Sequence, residues 1–452
     1  MAKDKSDAQT GTPPRAIIAA TIGNALEFYD FLIYALFAVQ IGRTFFPATD
    51  SYVSLMLSLA TFGAGFLTRP LGAIVFGTYA DRVGRRPAMV LSLTIIGFSM
   101  VALASIPSYA EIGLAAPLCA LFARLTQGFS LGGEVGANSA FLVEAAHPDR
   151  RAEIVSWQGV SQAIALVLGS LVGTVLATYL SPAALESYGW RIAFLIGAAI
   201  VPCGYWLRRH LAETLHEQST KYSPATAVGP PATSGEAGRL ELTQRHWRTM
   251  AFGLTAIAAG TVGTYIFVYV ATYAQTTLHL PPRAGFLASL AGYGVEIPCI
   301  LLGGRLSDRY GRKPVNVWGN LAFLLGIYPV FIWVITARSV TALVLGMVIL
   351  NAVYSLRVGS FFAAFIESLP PTIRSGGFGT VYAASVAIFG GTTQLVVTWI
   401  IHVTGSAIAP AWYLIGFTLM GEIAYLLYPE TAPMRLRARQ AAADRSTRAV
   451  EY

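Results

Sequence analysis

Glu27 and Asp30 stand three residues apart in an otherwise apolar stretch, and Asn24 and Tyr34 extend the same face at helical spacing. A second apolar stretch carries Arg124, Gln127, Glu134 and Asn138 as a polar stripe. These residue types suit two kinds of chemistry. A guanidinium offers a planar fork of donors that matches a carboxylate, which makes Arg124, with Gln127 and Asn24 beside it, a candidate anion-binding group. A carboxyl buried near a cation holds its proton on terms set by desolvation and by that neighbour, so filling or emptying the anion site can move the proton. Glu134 is the first candidate for such a proton carrier and Asp30 the second, with Glu27 alongside. The competing reading is structural: Glu27 or Asp30 pairs permanently with Arg124 and holds helices together.

Three further charges lie in apolar surroundings. Arg69, in T-R-P, suits backbone carbonyls at least as well as a ligand. Glu296 interrupts GYGVEIPCILL, and Arg357 interrupts YSLRVGSFF. Either they are a compensating pair, less costly together in hydrocarbon than apart, or Arg357 faces a cavity and adds a second guanidinium. Hydroxyls at Tyr265 and Tyr269, in a stripe with Thr261, Thr264 and Tyr273, are candidate substrate contacts, although aromatic residues at this spacing commonly pack. Other chemistries find no support. The histidines at 147, 210, 216, 246, 279 and 402 lack metal-ligand spacing, no nucleophile stands beside a base, and no G-x-x-x-x-G-K-[ST] loop occurs. The expectation is no metal, no cofactor and no enzyme.

The elements that position these groups follow from composition. Of 452 residues, 55% are hydrophobic and 12% charged, a balance outside the range of soluble domains. Apolar runs of bilayer-spanning length number about twelve: near 17–41, 52–78, 88–106, 112–140, 153–180, 190–207, 249–275, 284–304, 315–336, 340–366, 377–402 and 410–428. The fold class is therefore an all-α membrane protein. Threading the runs with both termini on one side gathers Lys3, Lys5, Arg15, Arg82, Arg85, Arg150, Arg208, Arg309, Lys313, Arg374 and the cluster from Arg435 to Arg448 on that face, which the positive-inside rule makes cytoplasmic. The formal charge of +8 is thus topology, and no nucleic-acid partner is expected. Cys119, Cys203 and Cys299 fall in spans and read as free thiols. The first run is too long for the apolar region of a cleaved signal and reads as a retained helix.

A Pro-, Gly- and Ser-rich interruption, SPATAVGPPATSGEAG, divides the chain. This gives a tail at 1–16, a six-helix half at 17–209, a linker at 210–248, a second half at 249–428 and a basic tail at 429–452. A repeat supports the division. Gly77, Asp81, Arg82, Gly84, Arg85 and Pro87 recur as Gly304, Asp308, Arg309, Gly311, Arg312 and Pro314, and Glu144, Pro148 and Arg151 recur as Glu367, Pro371 and Arg374. Such register implies a duplication with parallel topology.

G-x-x-x-D-R-x-G-R-[RK] after the second span of each half resembles the signature of the major facilitator superfamily. GNALEFYDFLIYALFAVQIGRTFFP, RLTQGFSLGGEVGANSAFLVE and SWQGVSQAIALVLGS are similar to its metabolite:proton symporter family, and FFPATDSYVSLMLSLATFGAGFLTRPLGAIVFGTYADRVGRR looks most like the bacterial citrate and tricarballylate carriers. The resemblance implies a twelve-helix secondary transporter of the bacterial inner membrane, monomeric, importing a small carboxylate with protons through alternating access. Sodium coupling, another organic solute such as shikimate, an aromatic acid, 2-oxoglutarate, proline or betaine, and a non-transporting nutrient sensor remain as alternatives. It also implies two latches on the cytoplasmic face. One joins Asp81 with Arg82, Arg85 and Glu144 or Arg151; the other joins Asp308 with Arg309, Arg312 and Glu367 or Arg374. Charges at Glu296 and Arg357 depart from the citrate-carrier pattern.

Overall fold

The computed structural model describes residues 14–83, 85–131, 146–199, 247–370 and 374–438, with single positions 139, 142, 143, 202 and 440. A described helix falls in each of the twelve apolar runs, and among the described residues eight helices are long and apolar enough to cross a membrane. The outer faces of the helices carry Leu71, Ile74, Phe98, Phe122, Trp318 and Leu325, all exposed, as expected where the surrounding solvent is hydrocarbon and backbone bonds close within each helix.

The helices run past their apolar stretches at the end that bears the repeated motif. The eighth span, Pro282–Tyr310, carries Asp308 on its last turn, and the ninth, Arg312–Ala337, starts two residues later. Gly311 alone separates them, at φ +105°, a backbone that a side chain would strain. Likewise Asp81 lies within the helix Arg69–Val83. Both motif aspartates thus lie on helices, and after Asp308 the turn needs only one glycine.

Several spans are broken near the middle of the molecule. The second changes from Ser51–Leu67 to Arg69–Val83 at Thr68; the tenth divides into Val340–Ser355 and Val358–Ser368, with Arg357 in the break; the eleventh contains a π-helical turn, Val386–Gly390. Irregular backbone at membrane depth is tolerated where it lines a cavity or is buried in protein. The fifth span, Arg151–Tyr179, runs along the eighth: Gly304 lies close to Ala152 and Ser156, and Gly173 to Phe286. Toward the other end the second and eleventh spans meet, with Gly63 against Gly391 and the Tyr52 and His402 rings stacked 3.7 Å apart. Gln40 donates to Gln275 there at 2.9 Å.

Candidate functional site

A cavity of about 80 Å³ lies between the two sets of helices. Phe28 of the first span and Gln162 of the fifth line it from one side; Tyr265, Glu296, Arg357 and Tyr382, from the seventh, eighth, tenth and eleventh, line it from the other. Gln162 Nε2 donates to Tyr382 Oη at 3.3 Å across it. Arg357 is buried. Its Nη1 donates to Tyr425 Oη at 2.9 Å, and its Cζ lies 4.6 Å from the centre of the Tyr354 ring. Tyr354 is itself fixed, donating to Gly260 O at 2.5 Å and sharing a hydrogen bond with Thr264. Among the described residues Nε and Nη2 of Arg357 have no acceptor. Glu296 lines the same cavity and forms no ion pair with Arg357, so the compensating-pair expectation is not what the geometry shows.

Arg124 occupies a different environment. It is fully buried, with its Cζ 4.4 Å from the Phe31 ring, 4.6 Å from Tyr34 and 5.3 Å from Phe62. Nη1 donates to Gln127 Oε1 at 2.6 Å, and Gln127 Nε2 donates to Asp30 Oδ1 at 2.9 Å. Cation and carboxylate are thus joined through an amide instead of directly, and rings cover the guanidinium faces. Arg124, Gln127 and Asp30 are not among the residues that line the cavity. Asn24 donates to Ser161 Oγ at 2.5 Å, tying the first span to the fifth, and Tyr269 accepts from Thr398 Oγ1 at 3.0 Å. Of the six side chains proposed from sequence as substrate contacts, only Arg357 and Tyr265 line the cavity.

The charged cluster at the motif end is dense. Arg312 bonds Asp308 at 2.6 Å and Glu367 at 3.1 Å, and Asp308 also accepts the backbone amides of Ala152 and Glu153. Arg151, grouped by sequence with Asp81, reaches Glu367 of the other half at 3.9 Å, because the head of the fifth span lies beside the eighth. Arg305 and Arg150 both bond Glu153. Arg374 donates to Ile366 O at 3.0 Å; Arg309 is exposed over the Tyr310 ring, and Arg82 is exposed on its helix.

This helical pattern has counterparts among known proteins. Residues 16–441 match a family described as sugar (and other) transporter. The chain belongs to the sugar (and other) transporter family. A citrate-proton symporter of Salmonella typhi is 37% identical over 407 residues, covering 90% of this chain and 92% of the relative. One of Klebsiella pneumoniae is 35% identical over 416 residues, 90% of each, and a proline/betaine transporter of Escherichia coli (strain K12) is 30% identical over 451 residues, 98% of this chain and 88% of the relative. The crystal structure of a D-xylose-proton symporter superposes with a TM-score of 0.69 at 17% identity, covering 93% of this chain and 98% of that one. The protein is therefore a multi-pass transporter with the twelve-helix, two-half major facilitator fold.

For this transporter the side chains of Glu27, Asp81 and Arg85, and Glu134, Asn138 and Glu144 altogether, lie outside the described residues; so do Cys203 and most of the linker. Cys119 and Cys299 are free. Sequence reasoning missed two acids. Glu422, in the twelfth span, accepts from Asn320 Nδ2 at 2.8 Å, one turn from the Tyr425 that holds Arg357. Glu430, just beyond that span, accepts the amides of Arg312 and Lys313 at 2.9 and 3.1 Å, while Thr431 donates to Glu367. The signal was an acid-threonine pair set immediately after the last apolar run.

Proposed function

We propose that this transporter imports citrate or a closely related di- or tricarboxylate together with protons, alternately exposing the central cavity to either side of a bacterial inner membrane. The observation that carries the reading is Arg357: a buried guanidinium in the cavity between the halves, with two donor nitrogens left over for a carboxylate. The two citrate-proton symporters that match along nine-tenths of the chain support the substrate and the coupling ion. Tyr265 adds a hydroxyl to the same wall.

In this reading the protein works as a monomer whose halves, 17–209 and 249–428, rock about the cavity, joined by the 210–248 linker. The basic motif end faces the cytoplasm, with both termini, as the positive-inside rule requires. The cluster of Asp308, Arg312, Glu367 and Arg151 fastens that end when the carrier is open outward; Asp81, Arg82, Arg85, Glu144, Arg309 and Arg374 are assigned to the same device. Arg124, Gln127 and Asp30 hold the first half together.

A second reading has one observation behind it. An acid and a guanidinium in a single aromatic-walled cavity also suit a zwitterion, and a proline/betaine transporter is among the relatives. Uptake of labelled citrate into proteoliposomes under an imposed inward proton gradient, with tricarballylate, shikimate and betaine as competitors, decides between them. Uncoupler-sensitive citrate accumulation competed by tricarballylate is expected. Accumulation that requires sodium, or flux of betaine without citrate, overturns the ion or the substrate.

A further inference from the structure

The cavity holds an acid as well as a guanidinium. Among the described residues Glu296 makes no hydrogen bond and no ion pair, yet it lies at the wall of the cavity that contains Arg357. We infer that Glu296 carries the coupling proton, in the same cavity where Arg357 takes the substrate carboxylate. This rests on the carboxylate-symport reading above.

The electrostatics run in one direction. Glu296 and Arg357 line the cavity without an ion pair between them, and the acid within electrostatic reach of Arg357 is Glu422. A carboxylate bound at Arg357 adds negative charge to the cavity that an ionised Glu296 also lines. An intramembrane charge without compensation is costly, and a proton on Glu296 removes it. Substrate and proton then enter together and leave together. Among the described residues that share the cavity with Glu296 or lie within its electrostatic reach, Arg357 is the one cation. Tyr293 and Cys299 lie on its own helix; Tyr265, Tyr354 and Tyr382 come from the seventh, tenth and eleventh spans; and the fifth contributes Gln162. Asp30, by contrast, accepts from Gln127 through Oδ1 and is not among the residues that line the cavity.

The duplication supplies an independent reason to read Glu296 and Arg357 as a unit. Glu296 precedes Asp308 by twelve residues, the interval by which Arg69 precedes Asp81. Arg357 precedes Glu367 by ten residues, the interval by which Glu134 precedes Glu144. Each half therefore places one arginine and one glutamate at the same two repeat positions, with the charges exchanged between halves. Arg69 is buried against the Phe31 and Phe66 rings, within electrostatic reach of Tyr265 and Tyr382 of the cavity wall. A stray charge would not be answered in register at both positions.

The test uses full-length protein in proteoliposomes and the variants Glu296→Gln and Glu296→Asp. Citrate exchange at equal pH on both sides reads substrate binding and turnover; accumulation under an inward proton gradient reads coupling. For Glu296→Gln we expect at least a tenfold loss of accumulation and an exchange rate that no longer follows pH, with Glu296→Asp restoring both in part. Gradient-driven, uncoupler-sensitive accumulation by Glu296→Gln at the wild-type level overturns the inference. Infrared difference spectra of the substrate-free protein give a readout independent of substrate. A protonated-carboxyl C=O band that titrates in the wild type should vanish in Glu296→Gln, and its persistence overturns the assignment. If the wild type exchanges no citrate yet the band behaves as expected, the substrate reading fails and the proton site stands.

Discussion

Asp308 accepts the backbone amide of Ala152 at 3.0 Å, and that of Glu153 at 2.9 Å, across the boundary between the two halves. The fifth span begins after Arg150, whose side chain makes no capping bond. Its first-turn amides would otherwise lack partners, and a carboxylate at a helix N-terminus also meets the favourable end of the helix dipole. The cap comes from the opposite half, held in place by Arg312. A structural cap is thereby also a clasp.

Removing the clasp should open the motif end. A hydrogen bond to a charged group contributes roughly 1.5–3 kcal/mol, so Asp308→Ala, which deletes two, should cost the closed arrangement at least about 2 kcal/mol, or roughly thirtyfold in its population. Thiol labelling of a cysteine introduced at Ser156, in a background without the native cysteines, should accelerate accordingly. Labelling at the unaltered rate would show that the clasp holds nothing.

The two buried arginines should fail in different ways. Arg357→Lys keeps a charge but loses the planar fork, and should raise KM for citrate by about tenfold, since 1.4 kcal/mol corresponds to one decade. Arg124→Ala strands the Asp30 carboxylate, a change that typically costs about 3–5 kcal/mol. It should lower the apparent melting temperature and folded yield, and Asp30→Asn in the same chain should recover much of the loss. A selective rise in KM with normal melting would move Arg124 into the binding site.

Gly63 and Gly391 should resist enlargement. A Cβ on Gly63 would lie 2.5 Å from the Gly391 carbonyl oxygen, and backbone on both sides cannot give way as a flexible side chain would. Gly63→Val should hold the second and eleventh spans apart, increase labelling of a cysteine at Tyr52 and cut turnover by an order of magnitude or more. Gly391→Ala should be milder, since its new methyl meets the Gly63 oxygen at 3.1 Å. Equal turnover in Gly63→Val and wild type would mean that this approach is not required in the cycle.

Glu430→Ala should destabilise the protein without touching the cavity. It uncaps the amides of Arg312 and Lys313, and loss of a helix cap costs about 0.5–2 kcal/mol. The apparent melting temperature in detergent should fall while KM holds; a changed KM would tie this cap to binding.

The spans and the motif end were legible in the sequence because both are written in composition: apolar length for the spans, and Asp308, Arg312 and Glu367 at fixed offsets for the cluster. The cavity was less so. Arg124 and Arg357 are each a lone arginine in an apolar helix, and nothing local tells a face turned to a cavity from one turned to a neighbouring helix. Both lie against rings and both keep Nε and Nη2 without a partner among the described residues; the difference is that the surrounding spans leave Arg357 at the cavity and Arg124 outside its lining. Asn24 and Tyr269 pose the same ambiguity, since Ser161 and Thr398, which engage them, come from distant helices. Glu422 escaped notice because a single acid near the end of the last run reads as interfacial.

The fifth span's cap also sets an order on biogenesis. The residue that caps Ala152 is made 156 residues after it, roughly ten to thirty seconds at ordinary rates of synthesis. During that interval the first half sits in the bilayer with the head of one helix bare, its amides satisfied only by water or by lipid headgroups. The nascent half is thus an unfinished surface of donors and basic side chains until its sister arrives, and a ribosome that stalls in the linker would leave in the membrane a fragment marked as incomplete.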